Sequence, residues 1–135
     1  MTKTLTAQDK LTLRTAAYGA VTLICAADAT GKPHKSATEG SIALSSATGL
    51  VGHVLAEYPK DVELSGRSVA AIADRVLPAL TAAIDLLGKH DPAEADNFRS
   101  TVTVAVEAAA RTHQGAPSPA VAEMIRKITA VLGTA

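Results

Sequence analysis

The sequence is poor in aromatic residues and has a single cysteine. Tyr18, Tyr58 and Phe98 are its only aromatic side chains, 2% of the chain, and tryptophan is absent. This composition argues against a base-stacking nucleic-acid platform and against an aromatic-lined sugar site. The lone cysteine, Cys25, excludes an internal disulfide and a cysteine-based zinc site.

The chain also lacks an excess of charge and a long apolar run. Thirteen Lys and Arg residues balance 13 Asp and Glu residues, so the formal net charge is zero, which argues against nucleic acid as a partner. The charge-free stretches Thr15–Ala27 and Gly40–Leu55 are shorter than the ~20 apolar residues of a membrane span. The N-terminus shows no secretory pattern. These features and the single thiol predict a soluble, cytoplasmic protein with no membrane partner.

What the chain does contain is alanine and a helical repeat of apolar side chains. With 135 residues, 47% of them apolar, it is long enough for one compact domain spanning 1–135. Alanine favours helix, and glycine and proline lie mostly between the apolar segments. The pattern predicts an all-α, single-domain antiparallel bundle of about five helices. Their predicted spans are 7–29, 37–57, 67–87, 92–113 and 119–132.

Helix one is apolar around most of its circumference. Thr6 and Asp9 have the spacing of a capping box at its start. One apolar stripe returns once per turn, and a second makes the later half of the helix apolar nearly all round. Such a helix either lies at the centre of a bundle or is covered by a partner chain. The first stripe comprises Leu13, Ala16, Ala17, Ala20, Ile24 and Ala27, and the second Leu11, Tyr18, Val21 and Cys25.

The later helices have clear start and stop signals. Ser65 is the predicted N-cap of helix three, and Gly88 is its predicted C-terminal cap. For helix four, Asp91 is the predicted N-cap, Pro92 takes the first helical position, and Glu94 is placed to close a capping box. Helix four also has an apolar stripe that recurs at the helical period and is its predicted inward face, namely Ala95, Phe98, Val102, Ala105, Val106 and Ala109.

Helix two carries a strip of small residues opposite its apolar stripe. Small residues allow a neighbouring backbone to approach closely, so tight helix packing and a wall of a small ligand cavity are both compatible with the strip. The strip comprises Gly40, Ser41, Ser45, Ser46, Thr48, Gly49 and Gly52.

The candidate ligand-binding residues are His53, Glu57 and Asp74. His53 and Glu57 are four residues apart and share a helix face, while Asp74 precedes Pro78 by one helical turn. The simpler interpretation is a solvated pair and a surface carboxylate. Lys32, His34 and Lys35 precede the start of helix two, where exposed amides favour an anion, although a polar loop also accounts for them.

No catalytic or metal-binding motif appears in the sequence. A Glu-x-x-His pair, a His-Glu-x-x-His motif, a phosphate-binding glycine loop and a G-x-S-x-G motif are all missing. We therefore expect no metal or cofactor, and we favour a non-enzymatic module that forms a homodimer or binds another protein. The alternative is a small-molecule- or metal-binding bundle with a pocket near helices two and three.

Overall fold

In the computed structural model, the described residues are 6–27, 42, 49–55, 68–110 and 119–133. Within them the chain forms five helices and no strand, so the predicted all-α class is confirmed. None of these helices has the combined length and apolar character needed to cross a bilayer. The helices are α1 (Ala7–Ala27), α2 (Gly49–Leu55), α3 (Val69–His90), α4 (Pro92–Ala110) and α5 (Pro119–Leu132).

Helix α1 is the centre of the fold. It packs against all four other helices, and most extensively against α3. Every residue of its predicted inner stripe is buried, and Tyr18, Val21 and Cys25 of the second stripe are buried as well. Of the two arrangements that the sequence left open, the central one is observed. The chain's own helices cover the apolar surface of α1.

The four long helices form a mutually packed bundle. Each of α1, α3, α4 and α5 packs against the other three. Their inward faces form one apolar core, in which Phe98 of α4 is the largest fully buried side chain. The predicted inward face of α4 is confirmed at all of its positions, namely Ala95, Phe98, Val102, Ala105, Val106 and Ala109. This mutual packing agrees with the predicted bundle.

The boundaries of α3 differ from the prediction. Its N-cap is Ser68, whose hydroxyl accepts a hydrogen bond from the Ala71 N–H at 3.1 Å, while Ser65 lies outside the described residues. The helix continues through Gly88 to His90, so Gly88 does not end it. It ends at Asp91, because the ring of Pro92 disfavours helical backbone at the preceding residue. Asp91 is accordingly extended, with φ −162° and ψ 106°.

Asp91 makes hydrogen bonds at the end of α3 and at the start of α4. Its N–H donates to the carbonyl of Leu87 at 2.6 Å and so ends α3. Its carboxylate accepts from the Ala93 N–H at 3.1 Å and so caps α4, as predicted. The predicted reciprocal bond from Glu94 back to Asp91 is wrong, because the Asp91 N–H already has this partner in α3. Glu94 accepts instead from the N–H of Val51, in α2.

The predicted capping box of α1 is confirmed, and α5 also ends at a well-defined cap. At the start of α1, the Asp9 N–H donates to the Thr6 hydroxyl and the Thr6 N–H donates to the Asp9 carboxylate, both at 3.0 Å. Asp therefore replaces the usual Glu of a capping box. At the end of α5, Gly133 adopts φ +77°, the left-handed conformation that commonly ends helices at glycine.

Helix α2 is shorter than the predicted helix two. Gly49 has φ +73°, a left-handed conformation outside the right-handed helical region, so the predicted continuous span 37–57 is interrupted there. Ile42 is helical, and most of the remaining predicted span lies outside the described residues. From Gly49, α2 places Val51, Val54 and Leu55 in the core.

Candidate functional site

The structure locates two of the six predicted site residues. His53 is exposed on α2, and Asp74 is exposed on α3. Glu57, the predicted helix-face partner of His53, lies outside the described residues, as does the predicted anion site of Lys32, His34 and Lys35. The His53–Glu57 pair and the anion site therefore stay predictions.

His53 and Asp74 are not brought together. No Cα atom of the described helix α2 lies within 8 Å of one in α3, because α2 packs on α1 and α4 instead. In the part of the chain that the structure describes, no three His, Cys, Asp or Glu side chains form a group that could hold a metal ion. The predicted pocket near helices two and three also stays a prediction. Elemental analysis and a thermal-shift ligand screen test it.

The structure does assemble a set of polar contacts at the carboxyl end of α2. The Arg14 guanidinium donates through Nε to the carbonyl of Val54 at 2.9 Å, and the Tyr18 hydroxyl donates to the carbonyl of Leu55 at 2.6 Å. The last carbonyls of a helix have no partner within it. Two side chains of α1, one turn apart, supply these partners, and the positive charge of Arg14 faces the negative end of the helix dipole.

A carboxylate lies at the opposite end of α2. The Val51 N–H donates to Oε1 of Glu94 at 3.4 Å, a long hydrogen bond that places negative charge at the positive end of the helix dipole. Gly49 allows this approach, since a Cβ added there would lie only 2.8 Å from the same oxygen. A side chain from α4 thus holds the amino end of α2, and side chains from α1 hold its carboxyl end.

A similar contact lies at the carboxyl end of α5. The Arg99 guanidinium donates through Nε to the carbonyl of Leu132 at 2.6 Å and through Nη1 to Asp96 at 2.7 Å. Asp96 is mostly exposed, so water screens this ion pair and it contributes little to stability. The contact with Leu132 provides a partner for a carbonyl that the helix cannot satisfy itself.

These four side chains make the same kind of contact. Arg14, Tyr18, Glu94 and Arg99 each bind a backbone group at the end of another helix. Within the described residues, every buried side-chain nitrogen or oxygen has a hydrogen-bond partner. The sequence pattern places Tyr18 only in an apolar stripe, although a buried tyrosine hydroxyl generally requires a partner. That requirement was the one available signal for this contact.

Comparison with known proteins identifies no relative of this chain. No protein-family model, curated protein sequence or solved structure matches it.

Proposed function

We propose that this bundle is a non-catalytic module that associates with a second copy of itself through α3 and α5. The observation that carries the proposal is the position of its half-buried apolar side chains. Those that pack against the core belong to these two helices, which also pack on each other. They are Val69, Leu77, Ala79, Ile84 and Leu86 of α3 and Met124, Ile125 and Val131 of α5.

The half-buried positions of α3 border its buried face. Ile72, Val76 and Leu80 lie on the buried face, while Leu77 and Ile84, seven residues apart, lie along one edge of it. One side of each edge residue already packs on the core. A second copy placed over this edge would remove its remaining apolar surface from water, which is the usual driving force for protein association.

The apolar surface of α1 gives no reason to expect a partner chain. Its apolar circumference was the first reason to expect a second chain, and the other helices of the same chain account for that pattern. The proposal therefore rests on α3 and α5, and it predicts an interface away from Cys25 and the rest of α1.

Sedimentation equilibrium at low to high micromolar concentration tests the proposal. We expect a dimer that dissociates on dilution, and a weaker dimer for the double variant Leu77→Gln/Ile84→Gln. The matched control is Val104→Gln, because Val104 is the large apolar side chain exposed on α4. Far-UV circular dichroism establishes that each variant is folded. A monomer at every concentration contradicts the proposal, as does equal weakening by the control.

We also propose a cytoplasmic location. The support is that the chain has a single cysteine, Cys25, which is buried in α1, whereas small proteins of oxidising compartments commonly carry paired cysteines. Fractionation of cells that express the untagged chain tests this, and recovery from an oxidising compartment contradicts it.

A further inference from the structure

We propose that α2 is a strap that undocks from α1 and α4 as a unit while the four long helices stay packed. The first observation is the topology of contacts within the described residues. The four long helices all pack on one another, whereas α2 packs on α1 and α4 only. Removal of α2 therefore leaves every contact among the long helices in place.

The length of α2 is the second observation. Helices shorter than about 12 residues are marginal in water even when their sequence favours helix, because nucleation is unfavourable. Helix α2 has only seven residues, two of them glycine. Its helical state thus depends on docking, and undocking and unfolding of α2 are the same event.

The third observation is that other helices supply the caps of α2. Arg14 and Tyr18 bind its last carbonyls, and Glu94 accepts from the N–H of Val51. All three contacts are lost together when α2 undocks. Undocking also exposes Val51, Val54 and Leu55 and the apolar surface that they cover. The caps and the burial of these side chains together set the population of the open state.

Native-state hydrogen exchange of the full chain, followed amide by amide, tests the strap. We expect the amides of α2 to be protected but to exchange faster than those of α1, α3 and α4, with a weaker dependence on urea than global unfolding shows, because undocking exposes less surface. Exchange of α2 at the rate of global unfolding overturns the proposal. Absence of any protection in α2 overturns it too, because no docked state then exists.

Variants at the caps provide the second part of the test. Glu94→Gln keeps an oxygen acceptor but removes the charge, and we expect exchange in α2 to rise about threefold to tenfold. Glu107→Gln, the same change at an exposed position of α4, leaves exchange in α2 unchanged. Tyr18→Phe removes the hydroxyl contact to Leu55 and raises exchange in α2 about twofold to tenfold. Equal effects of the two glutamine variants, or no effect of Tyr18→Phe, contradict the proposal.

Discussion

The most informative single substitution is Phe98→Ala. The Phe98 ring has no exposed surface and is the largest fully buried side chain among the described residues. Its removal loses the transfer free energy of the ring and leaves a cavity between helices that cannot fully collapse. Together these effects cost about 3–5 kcal/mol, a large part of the 5–15 kcal/mol that typically separates folded from unfolded states. With a slope of roughly 2 kcal/mol per molar urea, the unfolding midpoint falls by about 2 M.

Urea unfolding followed by circular dichroism at 222 nm measures this change. The control is Val104→Ala, six residues further along the same helix, where the residue is 53% exposed. We expect this control to change stability by no more than about 0.5 kcal/mol. A loss below about 1 kcal/mol for Phe98→Ala, or equal losses for the two variants, would refute the assignment of the buried face of α4.

Three further predictions concern two glycines and one helix cap. Each is tested by measuring the free energy of unfolding in urea. Gly49→Ala destabilises the protein by about 1–2 kcal/mol, because Gly49 has φ +73° and the new Cβ would approach Glu94 Oε1 to 2.8 Å. Gly88→Ala instead stabilises it by about 0.5–1 kcal/mol, because Gly88 lies in α3 and the new Cβ would lie more than 4 Å from every atom other than its chain neighbours and the local helix backbone. Asp91→Ala costs about 1 kcal/mol, since it removes the carboxylate that caps the Ala93 N–H. A stabilising Gly49→Ala, a destabilising Gly88→Ala or a neutral Asp91→Ala would contradict the respective geometry.

Periodicity and local caps predicted much of the fold, because both depend on residues close in sequence. The buried face of α4 and the Thr6–Asp9 box are confirmed in this way. The prediction that Gly88 caps the end of α3 was wrong, because a local signal at one residue was overridden by a stronger one nearby. A glycine tolerates helix as well as a left-handed end, and the stronger constraint came from Pro92, which ended the helix at Asp91 instead.

Contacts between segments that are far apart in sequence could not be predicted from residue spacing. The spacing of Asp91 and Glu94 indicated a local capping box, but Glu94 binds α2, 43 residues earlier in the chain. Likewise, the circumference of α1 was compatible with coverage by its own chain or by a partner, and only the packing of the other helices distinguishes these arrangements. Such pairings depend on how helices are placed in space, and residue spacing carries no information about that.

The reactivity of the single thiol tests the central position of α1 most directly. Cys25 is buried in α1 beneath helices of the same chain. We expect Cys25 to react with a thiol reagent far more slowly in the native protein than in urea, at a rate independent of protein concentration. Reaction as fast as in urea, or a rate that rises on dilution, would show that α1 is open to solvent or is covered by a second chain.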